Sequence, residues 1–191
     1  MRTRSLLAAL LILFAAPSLL RADQRDNDLA RSVTDAVRKC PHYTIFDDVA
    51  VAVSDGTVTL SGEVTTPAKR AGIAADVRRI GGVRTVVDAI AVLPDSSRDA
   101  DLRRRAAHAI YSHTAFWRYA AMPSPPIHII VRDGHIRLTG TVSTDVERAL
   151  AQSLAAETGA FTVKNQLSLT SRHPEPFVEA GTGRPPGAPS V

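Results

Sequence analysis

Apolar and polar positions alternate most sharply in two stretches, VAVSDGTVTLSGEV (51–64) and IIVRDGHIRLTGTV (129–142). Each has Asp-Gly at its centre. Between alternating runs this dipeptide marks a two-residue hairpin loop, because both loop positions need positive φ. The first hairpin then pairs Val53 with Val58, Val51 with Leu60 and Val49 with Gly62. The second pairs Val131 with Ile136, Ile129 with Leu138 and Ile127 with Gly140. In both, the aliphatic side chains fall on one face, as they would not if the register slipped by one. Gly62 and Gly140 sit on that face and are expected to let a helix approach closely.

Helical periodicity follows each hairpin. In the first, Thr66 is a candidate N-cap, Pro67 suits the first turn, and Ile73, Val77 and Ile80 share a face. In the second, Thr144 and Glu147 form a possible capping box, and Val146, Leu150 and Leu154 make the apolar stripe. Gly82 and Gly159 are expected to end these helices. A third strand follows, with Val86, Asp88, Ile90 and Val92 in one case and Val163, Asn165, Leu167 and Leu169 in the other. A leading helix precedes each hairpin, its apolar face Leu29, Val33, Val37 and Cys40, or Leu102, Ala106, Ile110 and His113.

These correspondences run in one order through the chain, DLARSVTDAV (28–37) on DLRRRAAHAI (101–110), then the hairpins, then the second helices and third strands. Duplication of one αββαβ module accounts for them. The predicted class is α+β, two tandem modules over 26–94 and 98–170, each a small three-stranded mixed sheet packed against two helices. Asp55, Gly56, Gly62 and Gly82, matched by Asp133, Gly134, Gly140 and Gly159, form its structural motif.

The pattern V-x-V-x-x-G-x-V-x-L-x-G-x-V, then a helix, then G-V-x-x-V-x-[DN]-x-[ILV], resembles the BON domain. The first copy carries it as VAVSDGTVTLSGEV and GVRTVVDAI, the second as IIVRDGHIRLTGTV and GAFTVKNQL, with Ala160 in place of the usual valine. Tandem BON domains behind an export signal resemble the periplasmic OsmY-like proteins. The resemblance implies contact with phospholipid surfaces and envelope maintenance, often under osmotic stress, with no catalytic residues and no cofactor.

The ends of the chain fit export. Arg2 and Arg4 precede an apolar run, Leu6 to Ala16, of signal-peptide length, and Leu20-Arg21-Ala22 offers a cleavage site. Residues 1–22 are therefore expected to be a signal peptide and the mature protein to be periplasmic. No cysteine follows the apolar run closely enough to carry a lipid anchor, and the single cysteine, Cys40, leaves no internal disulfide. Residues 173–191, rich in proline and glycine, are expected to be disordered.

Charge separates the copies. Residues 23–95 have a net charge of −2 and residues 96–172 of +4. Arg103, Arg104 and Arg105 open the second leading helix by this reading, against its macrodipole. The loop after it, 112–126, is longer than its counterpart, 40–48, and holds Phe116, Trp117, Arg118, Tyr119 and Met122. Basic groups beside amphipathic aromatics suit an anionic lipid surface. The candidate lipid-binding residues are thus Arg103, Arg104, Arg105, Trp117, Arg118 and Tyr119; the competing reading buries the aromatics over the sheet. A second functional reading is a protein-interaction or chaperone-like module using sheet edges and the outer hairpin face, where Ile130 sits among polar residues. Envelope proteins would then be the partners. The histidines lack metal-ligand spacing, with His128 opposite Thr139 and His135 opposite Arg132. Asp47-Asp48 reads as a solvated loop. No nucleophile motif or phosphate loop is present, and neither an enzyme nor nucleic-acid binding is expected.

Overall fold

The computed structural model describes residues 16–170, and the expected tail, 173–191, lies outside them. The first module comprises α1 (Ala16–Lys39), β1 (Asp48–Ser54), β2 (Thr57–Val64), α2 (Pro67–Arg78) and β3 (Thr85–Val92). The second comprises α3 (Ser97–Tyr111), a 3-10 turn at Thr114–Phe116, α4 (Trp117–Ala120), β4 (Ile127–Arg132), β5 (His135–Val142), α5 (Asp145–Ala156), β6 (Thr162–Asn165) and β7 (Ser168–Leu169). The class is α+β, in two modules of like order. Residues 16–22, at the end of the expected signal segment, are continuous with α1.

Both hairpins have the register expected, Val53 on Val58 and Val51 on Leu60, Val131 on Ile136 and Ile129 on Leu138. β3 joins β2 in parallel, and β6 and β7 both join β5 in parallel. β6 and β7 are one interrupted strand, because Leu138↔Asn165 and Thr141↔Ser168 keep the same offset. The hairpin loops bend at Asp55 (φ 48°) and Gly56 (φ 71°), and at Asp133 (φ 51°) and Gly134 (φ 79°). A carboxylate on the leading helix fastens each loop. Asp26 accepts from the Asp55 and Gly56 amides (2.7 and 3.3 Å), and Asp99 accepts from those of Asp133 and Gly134 (2.8 and 2.9 Å).

The cores follow the two apolar faces. Val33, Val37, Cys40, Val58, Leu60, Val64, Ile73, Val77 and Ile90 pack together in the first module. Leu102, Ala106, Ile110, Phe116, Ile127, Ile129, Leu138, Ala151 and Ala155 do so in the second. On α5 the stripe is rotated from expectation. Ala151 and Ala155 are buried, Leu150 and Leu154 half-buried, and Val146 is exposed. Small residues let α5 lie close to the sheet, and the aliphatic positions flank the contact line.

The expectations for four glycines change. Gly62 and Gly140 serve a neighbouring strand end rather than a helix. A Cβ on Gly62 (φ 115°) would lie 2.2 Å from the Asp48 carbonyl oxygen, and one on Gly140 (φ 103°) 1.8 Å from that of Pro126. Gly82 and Gly159 lie beyond the helices, which are capped at Arg79 and Glu157. The arginine run does not open α3, which starts at Ser97 with Ser96 as N-cap. Arg103 falls at the end of the second turn, where the dipole conflict has faded.

Sheet edges are closed by side chains. Along β4 the Ile127 carbonyl accepts from the Tyr111 hydroxyl (2.6 Å), the Ile129 amide donates to the Ile45 carbonyl (2.7 Å) and the Val131 carbonyl accepts from Arg103 (2.9 Å). On β3 the Asp88 carbonyl accepts from Arg70 and the Ile90 amide donates to Asp88 Oδ1 (3.1 Å). Asn165 Oδ1 likewise accepts from the Leu167 amide (3.1 Å). An acidic or amide side chain at this position can hold a main-chain amide of the outermost strand, which accounts for the [DN] of the motif.

The modules are in contact. Beside the Ile129–Ile45 bond, Phe46 packs against the second core. Arg137 on β5 pairs with Asp48 (2.9 Å) and Glu63 (2.5 Å), and Arg132 pairs with Glu63 (2.5 Å). Ile130, expected on an open hairpin face, is 2% exposed. The Asp47-Asp48 loop is not solvated. Asp47 is fully buried and accepts from the Thr44 and Thr65 amides (2.8 and 2.9 Å), both threonine hydroxyls (2.8 and 3.0 Å) and Lys69 Nζ (2.6 Å).

Burial alone would raise the Asp47 pKa, but the bonds from Lys69, Thr65 and Thr44 together hold it below the usual value. Its stabilisation is therefore present above the ordinary aspartate pKa of about 4 and is lost as pH falls through the lower native value. Asp47→Ala leaves Lys69 without its partner and should cost about 3 kcal/mol in urea-monitored stability. It should also reduce the acid sensitivity of unfolding below about pH 4.

Candidate functional site

The six residues singled out as lipid contacts do not form one surface. Arg103 is buried, its Nη2 on the Val131 carbonyl and its Nε without a partner. Burial lowers its pKa against the pull of Asp99, and it closes a sheet edge. Tyr119 is also buried. Arg104 pairs with Asp101 at the helix surface, and Arg105 Nε donates to the Thr158 carbonyl (3.2 Å). Both are exposed.

The longer loop provides the clearest functional geometry. It folds as the 3-10 turn and α4, held at two aromatic points. Phe116 is fully buried in the second core. The Tyr119 hydroxyl receives the Ser143 amide (3.0 Å) and donates to Glu147 Oε2 (2.8 Å). Glu147 also pairs with Arg118, whose guanidinium lies 4.7 Å from the Tyr119 ring centroid. Only half of the expected capping box forms: Thr144 accepts from the Glu147 amide, while the Glu147 carboxylate takes the Ser143 amide (2.9 Å), one residue before the cap, and anchors α4 as well. Between these anchors Trp117 is 70% exposed, with Met122 44% exposed nearby in the chain. Exposed Trp117, Arg118, Arg104 and Arg105 remain from the original six.

A cleft of about 690 Å³ lies elsewhere, at the hairpin tip of the first module. It is lined with mixed charge, including Arg25, Asp28, Asp55 and Arg84. In the second module the corresponding space holds Phe161, with the Arg98 guanidinium 4.6 Å from its ring centroid. Among the described residues no three His, Cys, Asp or Glu side chains gather as a metal site.

A comparison with protein families matches the BON domain over residues 25–94 and 113–171. The chain belongs to the BON domain family. The second match starts at His113, after α3, yet α3 takes the same place in the second BON domain as α1 in the first, down to the carboxylate on the hairpin turn. BON domains are generally non-catalytic, and the family indicates an envelope-associated protein. No curated protein matches the chain. Among solved structures, it is similar to the C-terminal domain of CdsD, a structural protein of the type III secretion system of Chlamydia trachomatis. That similarity has 17% identity and a TM-score of 0.31, covering 76% of this chain and 67% of that one. A second CdsD structure gives 14% identity and a TM-score of 0.29, covering 75% and 92%.

The geometry separates the arginines experimentally. Arg103→Ala should destabilise the second BON domain by about 1–3 kcal/mol, the range for leaving a buried acceptor, here the Val131 carbonyl, without its donor. Arg104→Ala and Arg105→Ala should each lie within about 0.5 kcal/mol of the parent in the same denaturation assay.

Proposed function

We propose that this BON pair is an exported, non-enzymatic envelope protein whose second domain docks on anionic phospholipid and helps maintain the envelope under osmotic stress. The observation that carries the reading is Trp117, held out from the surface by a buried neighbour on one side and a bonded tyrosine two residues on. An exposed indole, with only two side-chain torsions to fix, enters a headgroup layer with little ordering cost. Arg118 adjoins Trp117 near the start of α5, while Arg104 and Arg105 add positive charge elsewhere on the domain, Arg105 meeting Thr158 beyond the end of α5; each basic group near an anionic surface is worth about 1 kcal/mol before screening. Among the described residues no helix is long and apolar enough to cross a membrane, so the docking would be peripheral.

A protein-interaction reading keeps one supporting feature now that Ile130 is covered. The outer face of the first sheet exposes Ala50, Ala52, Ser54, Val87, Ala89 and Ala91, a flat surface without charge at these positions.

Vesicle flotation at low and high salt tests the proposal, using the chain from Asp23 onward so that Leu6–Ala16 does not bind lipid itself. Binding to anionic vesicles should weaken with salt and be lost on neutral ones. Trp117→Ala, and Arg104→Glu with Arg105→Glu, should each reduce it about tenfold or more. Unchanged binding in Trp117→Ala would refute the Trp117 surface, unchanged binding in the arginine variant would refute a role for those charges, and absence of binding at low salt would favour the protein-interaction reading.

A further inference from the structure

We propose that the junction between the two BON domains is a proton-sensitive hinge, and that His128 loosens it on becoming charged. This is independent of the lipid reading.

His128 lies on β4 opposite Thr139, on the sheet face that meets the first domain. Its ring is tilted 50° to that of Tyr43, with centroids 5.5 Å apart. The two rings line a cleft of about 190 Å³ between α1 and β1 of one domain and β4 and β5 of the other. Thr34, Arg38 and Asp48 share its walls. The neutral ring fits this place. Its Nδ1 is buried and makes no hydrogen bond, so a charge placed there would have to be desolvated.

The charged groups facing the ring do not rescue an imidazolium. From α1, Arg38 repels it. From the 40–47 loop, the Tyr43 hydroxyl is held neutral, its pKa pushed up to about 12 chiefly by burial. The Asp47 carboxylate is already bound by Lys69 and two threonines. From β1, Asp48 attracts it but is engaged by Arg137 at 2.9 Å. The Asp47 and Thr44 main chain also favours the charged form. Burial outweighs these attractions, and the His128 pKa falls below its usual value.

The sign follows. The unfolded or undocked ring takes up a proton near pH 6.5, the docked ring only at lower pH. Docking is therefore fully supported above about pH 6.5 and weakens as pH falls from there toward the docked value. The ion pairs of Asp48 and Glu63 with Arg137 and Arg132 do not involve His128 and keep the domains tethered. Acidification opens one corner of the junction rather than separating the domains.

NMR on the full chain from pH 7.5 to 5.0 tests this, following the His128 ring and hydrogen exchange at the Ile129 amide. That amide donates across the junction to Ile45. The Leu93 amide, bonded within the first domain to Val64, is the control. The expected His128 midpoint lies below about 6.5. After correction for intrinsic exchange, Ile129 protection should fall by up to about tenfold for each unit of that displacement, while Leu93 protection holds. His128→Phe should remove the fall. A midpoint at or above the ordinary value, equal losses at Ile129 and Leu93, or an unchanged fall in His128→Phe would each overturn the proposal. If His128→Phe does not fold, the parent protein still decides. Co-titration of Ile129 protection with the His128 ring supports the hinge, and separate midpoints overturn it.

Discussion

In a sheet with one central strand, most strands are edges, and unsatisfied edge backbone is the constraint on which this structure depends. A three-stranded module cannot bury that backbone behind further strands. Here side chains and a loop from the neighbouring domain supply part of the missing bonding. Tyr111, Arg103 and the Ile45 carbonyl close β4, while Arg70 and Asp88 close β3. These closures also tie the elements together. Arg103 fixes α3 to β4, Arg70 fixes α2 to β3, and the Ile45 carbonyl joins the domains. A buried guanidinium is costly to desolvate, but its Val131 bond places that cost where it also closes an edge.

The duplicated scaffold tolerates divergence because its inner and outer faces obey different demands. The inner face repeats Val58 as Ile136 and keeps Leu60 as Leu138, and both copies fasten their hairpin loops with a helix carboxylate. The outer face of the first sheet carries mostly small neutral residues, with Asp48 and Glu63 at one end. That of the second carries His128, Ile130, Arg132 and Arg137, which meet the first domain. The excess positive charge of the second copy is thus partly spent on the junction. Arg132 and Arg137 face Asp48 and Glu63, and this leaves α3 and α4 to carry the exposed cations.

Around α4, packing and exposure support each other. Phe116 contributes to the core and Tyr119 engages Glu147 and Ser143, so the chain between them is anchored on both sides. Trp117 is consequently held outward by its neighbours. The same glutamate serves the start of α5 and the position of α4, linking a local helix signal to the presentation of the candidate contact.

Periodicity was enough to determine the element order, both hairpin registers and most of each core. Asp-Gly loops admit few conformations, and a one-residue slip would have turned Leu60 or Leu138 to the wrong face. The capping residues Thr66 and Thr144 were readable for the same local reason. The candidate site was legible in composition but not in arrangement. Arg103, Arg104 and Arg105 are alike in sequence, yet successive helix positions point about 100° apart, and only packing against β4 decides which is buried. Asp47 looked solvated because its partners, Thr65 and Lys69, are distant in sequence. Ile130 looked exposed because nothing local records a second domain above it. The sequence by itself determined what each segment would form and which face would be apolar, since those depend on neighbours along the chain. Tertiary structure alone decided which charges are paired, which edges are closed and which aromatic faces solvent, since those depend on groups that folding brings together.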